Sequence, residues 1–170
     1  RVPRIPCTTD GRTWSEKKYL YMRIAFISCE YPPDSCQGGI ATYVWQTSHM
    51  MASLGHEVEV FSRSSARTGR SQTEGVLVHW IQTPDSYDFC DFIGPVFAAR
   101  HAENPFDVLE GPEYNADARI AVELVPDIPL VLKMHTPSFM AIKLNFTLRK
   151  RDRLKHIMKQ VRQFTRSSLT

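Results

Sequence analysis

Two adjacent glycines, Gly38 and Gly39, fall between an apolar run and a stretch with helical spacing, and that placement gives them a chemistry that a glycine pair alone lacks. Residues 23–28 (RIAFIS) read as a parallel strand covered on both faces. The EYPPD segment at 30–34 stops it, and residues 40–54 carry apolar side chains at mostly helical spacing. Glycines at such a junction remove two β-carbons where the chain turns tightly or a ligand approaches the backbone. The helix start offers unpaired N–H groups at the positive end of its dipole, which favour a phosphate or another anion. Thr42 and Tyr43 bring hydroxyls to the first turn, although Tyr43 serves equally well as packing.

In an open α/β sheet ligands lie beyond the carboxyl ends of the strands. That rule adds Arg63, after a second strand at 57–62, which either pairs with a charged ligand or stays solvated. It adds Glu110, Glu113 and Tyr114, after a fourth strand at 106–109, and His135 and Thr136, after a fifth at 130–134. A carboxylate can accept two hydrogen bonds from a polar ligand, and an aromatic face can stack on a flat or apolar one. The competing role for Glu113 and Tyr114 is compensation of a helix dipole and core packing. A histidine directly after a strand also commonly caps a loop. The other histidines have no metal-ligand spacing.

The elements that must position these residues alternate along the chain. Gly55 and His56 close the first helix before the strand at 57–62; residues 63–74 read as a polar, flexible loop, and 76–81 (VLVHWI) as a third strand. A loop at 82–91, a helix at 92–101, the strand at 106–109, a helix with an apolar stripe at 114–125 and the strand at 130–134 complete the pattern. Alternation of this kind predicts a Rossmann-like, three-layer α/β/α domain with a mostly parallel sheet and right-handed crossovers. Residues 148–164 place Leu154, Ile157, Met158, Val161 and Phe164 on one face of a basic amphipathic helix within 146–170.

At 170 residues the chain has room for one domain with a real core and not for two of ordinary size. Its net charge of +3 conceals a split. Residues 143–170 hold nine Lys or Arg and one acid, whereas 24–142 hold six and fifteen. The acidic middle argues against a general nucleic-acid binder; the basic end suits an anionic membrane surface, RNA or simply water. Four cysteines (Cys7, Cys29, Cys36, Cys90) without CxxC spacing, and no secretory signal, predict free thiols in a reducing cytoplasm. No apolar run is long enough to span a membrane. Residues 1–21, polar and basic, read as a disordered extension before a domain at 22–145.

The combination of a strand ending in EYPP, a GGIATY helix start and LGHEVEVF resembles the N-terminal domain of the retaining glycosyltransferases of family 4, which have the two-domain GT-B architecture. FDVLEGPEYNADA from Phe106 and PLVLKMHTPSF from Pro129 stand where that family has its fourth and fifth strands. The resemblance covers residues 22–139. It implies hexosyl transfer from a UDP-, GDP- or ADP-sugar to a glycan, lipid or small-molecule acceptor, with no obligatory metal or other cofactor. It implies that the Gly38–Gly39 loop touches donor phosphate and acceptor, that Glu113 and Tyr114 face the acceptor, and that His135, the catalytic candidate, positions the donor sugar near the reacting carbon. The second, donor-binding domain of such enzymes has no counterpart after Phe139, so the chain alone is expected to be inactive, with a sheet side open to self-association. Two other readings remain: an NADP-binding Rossmann oxidoreductase with Arg63 on the 2′-phosphate, weakened by the lack of GxGxxG, and a non-catalytic module that attaches to membranes or a partner, its membrane contact made through 148–164 at the inner membrane face.

Overall fold

The computed structural model describes residues 21–35, 38–83, 85–86 and 88–135. The expected helix at 148–164, the extension at 1–20, Cys7, Cys36 and Thr136 lie outside the described residues.

Six strands form one sheet: β1 (Arg23–Ser28), β2 (Glu57–Ser64), β3 (Gly69–Thr73), β4 (Val76–Gln82), β5 (Val108–Pro112) and β6 (Leu130–Lys133), in the order β3-β4-β2-β1-β5-β6. All neighbours pair in parallel except β3 with β4. Alternation along the buried β1 sends Ile24 and Phe26 to one face and Ala25 and Ile27 to the other. The first face packs under α1 (Gly39–Ser53) through Val44 and the partly buried Ile40 and Tyr43. The second packs under α2 (Phe89–Glu103) and α3 (Arg119–Leu124) through Phe89, Ile93, Phe97 and Ala121. The expected parallel sheet with helices on both faces is therefore present.

Three local expectations change. The segment 63–74 is not a flexible loop: β2 runs on to Ser64, and β3 pairs with β4 through a two-residue turn in which Glu74 (φ 49°) and Gly75 (φ 83°) both have positive φ. That is the hairpin turn whose twist matches its strands. The exposed, polar β3 carries no apolar alternation to announce it. The fourth strand begins two residues late, at Val108. Phe106 instead stacks on Phe97 in the core, and Asp107 accepts a hydrogen bond from the Arg23 backbone N–H at 2.6 Å. Glu110 consequently lies within β5 rather than after it.

The helix expected over 114–125 is broken. A 3₁₀ turn at Tyr114–Ala116 contains Asn115 at φ 59° and Ala116 at φ 52°, and α3 starts only at Arg119. The physical reason is Asp117, which turns inward to accept the Cys29 backbone N–H at 2.7 Å.

Toward the amino ends of β1 and β2, Glu59 is 1% exposed and gathers Arg23 (2.7 Å), Arg100 (2.7 Å) and His79 (2.6 Å). This network ties β1, β2, β4 and α2 together.

Candidate functional site

The strand order reverses between β1 and β5: the chain leaves β1 toward β2 on one side and later returns to β5 on the other. Open α/β sheets bind ligands in the crevice outside such a reversal. A cleft of about 430 Å³ lies there, walled by Glu30, Asp34, Arg63, Tyr114, Asn115 and Asp117 together with Ser28, Ser35, Ser65 and Ser86.

The wall is rich in carboxyl groups. Asp117 is 3% exposed; its Oδ2 takes the Cys29 N–H, and its Oδ1 is buried with no hydrogen-bond partner among the described residues. Burial pushes the Asp117 carboxyl up to about 7, the Cys29 N–H opposes that, and the charge of Glu30 adds to it. Glu30 accepts the backbone N–H of Ala41 in the first turn of α1, and burial raises its carboxyl as well. Asp34 is held by the Ser64 hydroxyl (2.5 Å) and Arg67 (3.2 Å). Arg63 donates through Nε to Thr83 Oγ1 (3.0 Å) and through Nη2 to the Thr83 carbonyl (3.3 Å). The Cys29 thiol is pushed up to about 12, chiefly by burial and then by Asp117, so it is no nucleophile at neutral pH.

A second group assembles at the ends of β5 and β6 against α1. The His135 backbone N–H donates to Glu113 Oε2 at 2.8 Å, and the Tyr43 ring meets the His135 ring edge-on with centroids 5.7 Å apart. Lys133 Nζ sits 4.4 Å over the Tyr43 ring. The Tyr43 hydroxyl is raised by burial and then by its hydrogen bond to Glu110. Glu113 Oε1 and His135 Nε2 are buried without partners among the described residues. Such groups commonly await a ligand or solvent. A family model described as Glycosyl transferase 4-like domain matches residues 38–168.

The chain belongs to the glycosyl transferase 4-like family. No curated protein matches the sequence significantly. Among solved structures, the fold is similar to a sucrose-phosphate synthase from Thermosynechococcus elongatus (17% identity, TM-score 0.57, 79% of this chain and 39% of that one). It is also similar to the catalytic domain of starch synthase IV from Arabidopsis thaliana, solved with ADP and acarbose (15% identity, TM-score 0.52, 69% and 34%). This chain thus spans between a third and two fifths of those chains. These likenesses support the N-terminal Rossmann-like half of a GT-B glycosyltransferase as its fold.

Within this glycosyl transferase 4-like domain, the structure brings three of the sequence-read residues together, Tyr43, Glu113 and His135. Tyr114, 36% exposed, and Arg63 line the cleft instead. Gly38, at φ 114°, is the N-cap of α1, Gly39 opens the helix beside open space, and the exposed Thr42 hydroxyl turns back to the Gly38 carbonyl at 3.3 Å. Sequence reasoning passed over Glu30, Asp34 and Asp117. Glu30 and Asp34 were read as the end of a strand, although their position after β1 met the same strand-end rule; Asp117 was hidden inside an apparently continuous helix. Among the described residues no group of three or more His, Cys, Asp or Glu is placed to hold a metal, and no helix is long and apolar enough to cross a membrane.

Proposed function

We propose that this chain is the acceptor-side domain of a retaining glycosyltransferase that moves a hexosyl unit from a UDP-, GDP- or ADP-sugar to a carbohydrate, lipid or small-molecule acceptor. One observation carries the reading: Tyr43, Glu113 and His135, from three separate elements, converge next to the cleft at the strand-order reversal. His135 then positions sugar rather than removing a proton, with its backbone held by Glu113 and its ring by Tyr43. Glu113 Oε1 accepts a sugar hydroxyl, and Tyr114 offers a stacking face at the cleft wall. The groups that stabilise the departing diphosphate belong mostly to the second domain of such enzymes, so the 170 residues alone should turn over no sugar nucleotide.

Carbohydrate binding tests the reading. The purified chain, presented to an array of neutral and phosphorylated sugars, should bind at least one saturably, and His135→Ala should weaken that binding with the fold intact by circular dichroism. An oxidoreductase would instead show saturable quenching of Trp45 or Trp80 fluorescence by NADPH. Such quenching, with no carbohydrate bound, would overturn the proposal.

A further inference from the structure

The two edges of the sheet are built differently. β3, at one edge, is polar throughout (GRSQT), the composition that keeps an exposed strand from pairing with another chain. β6, the other edge strand among the described residues, reads LVLK, and Leu130, Val131 and Leu132 are all exposed. An open apolar edge is a liability unless something covers it.

The register identifies the bare face. Leu109, fully buried on the side of α2 and α3, is the partner of Leu130, and Gly111 is that of Leu132, so both leucines face that side. There they are 40% and 50% exposed, and Leu124, the last residue of α3, is 52% exposed. The core under α2 and α3 thus continues outward as an apolar band with no cover among the described residues.

Chain direction limits what can cover it. The two connections that run toward this edge, β4 to β5 through α2 and β5 to β6 through α3, both lie on that face, as right-handed crossovers in one direction must. A chain that returns to the sheet outward of β6 crosses the same face. Residues 136–147 can extend over about 40 Å, well beyond the roughly 13 Å rise of β6, so the segment after them has the reach. That segment is 148–164, with Leu154, Ile157, Met158, Val161 and Phe164 at one-face helical spacing between basic residues. Glu123 and Asp127, both exposed shortly before β6, give those bases a counter-charge. The family match runs on to residue 168, which counts the segment within the domain.

We infer that residues 148–164 form a helix on the α3 side of β6, with its apolar stripe against Leu124, Leu130 and Leu132 and its basic flank toward Glu123 and Asp127. The stripe can be buried in one place. Packed on β6, it is withdrawn from a lipid surface, and the bare face is closed to a second copy of the chain. The inference concerns what completes the domain and is independent of the ligand in the cleft.

Hydrogen exchange read by mass spectrometry on the full chain, at low and at high protein concentration, is the test. Amides of residues 154–164 should exchange at least about 10-fold more slowly than in a free peptide of that sequence, at either concentration and without lipid. Leu132→Glu should remove that protection while β1 and β2 keep theirs. Ile157→Glu together with Val161→Glu should remove it too and speed exchange across residues 130–134. On the unaltered chain, carbodiimide should link Lys155 or Lys159 to Glu123 or Asp127 within one molecule. Free-peptide exchange rates at 154–164 would overturn the inference. Protection that appears only at high concentration would assign the bare face to a second copy, and protection only with anionic vesicles would assign the stripe to lipid; either overturns it. So would links from Lys155 and Lys159 to other acids alone, or protection that survives Leu132→Glu. The exchange and cross-linking of the unaltered chain decide even if a variant misfolds.

Discussion

Asp117→Asn should make this protein more stable above neutral pH. The carboxyl has an ordinary value of 3.8 and a folded value of about 7, raised first by burial. Between those values the unfolded chain has released a proton that the folded chain keeps, so stability falls as pH rises through that window. The contribution is full below about pH 4 and gone above about pH 7. Roughly three pH units at about 1.4 kcal/mol each set a ceiling near 4 kcal/mol. Relaxation around a newly charged buried group brings the expected effect to about 2 kcal/mol. The amide of Asp117→Asn cannot ionise, and its oxygen can still take the Cys29 N–H. Thermal melts should therefore coincide for the two proteins near pH 4 and separate by about 4–8 °C in favour of the variant at pH 8. A variant that melts at or below the parent at both pH values would refute the claim that the fold holds a proton on Asp117.

Glu59 should act with the opposite sign. Burial alone would raise its carboxyl, but the hydrogen bonds and charges of His79 and Arg100 more than offset that and leave it at about 2. Its contribution is thus present above about pH 4.5 and lost as pH falls toward 2. Glu59→Gln should cost about 3–5 kcal/mol at pH 7 by urea titration, because Arg23 and Arg100 are left without their shared counter-charge; a cost under 1 kcal/mol would contradict this. At Gly94 a Cβ would collide with Ile120 Cγ2 and stand 2.7 Å from Ile120 Cβ and 3.1 Å from the Ala121 backbone nitrogen, where α2 and α3 touch. Gly94→Ala should therefore destabilise by about 1–3 kcal/mol. Adding Ile120→Ala should recover part of the loss, and a double variant no better than the single one would count against the steric cause.

The strands that sequence reading found, β1, β2, β4, β5 and β6, are short runs rich in apolar or β-branched residues, and this signal holds both for the fully buried β1 and for the largely exposed β6. What it missed has a different origin. β3 is solvent-facing and polar, and its pairing is specified by the Glu74–Gly75 turn rather than by its own side chains. The stretch 114–125 carries a helical stripe that tertiary contacts override. Gly111 and Ala118 pack so closely that a Cβ on the former would sit 2.8 Å from the latter's Cβ, and Asp117 is drawn to the end of β1. In the site, Tyr43, Glu113 and His135 were legible because each follows a strand end or opens a helix. Glu30 and Asp117 were not legible as residues of one cleft, since that depends on β1 and β5 being neighbours, as the contact between Arg23 and Asp107, 84 positions apart, shows.

The two ends of the sheet divide the labour of this domain. Toward the amino ends, every charge in the Glu59 network is met and binds strands to helix, which is where a fold gains from buried polar groups. At the carboxyl ends the arrangement runs the other way: Asn115 and Ala116 hold positive φ, and among the described residues Asp117 Oδ1, Glu113 Oε1 and His135 Nε2 are buried without a partner. Features that cost stability around Asp117, set against the fully paired Glu59 network, are what a ligand site demands. The separation can be tested directly. Asp117→Asn should gain stability at pH 8 and lose carbohydrate binding, whereas Glu59→Gln should lose stability and leave the affinity of its folded fraction unchanged. If Glu59→Gln weakened binding as much as Asp117→Asn, the two edges would be coupled, and the unmatched groups around Asp117 would have to be explained by folding rather than by a ligand.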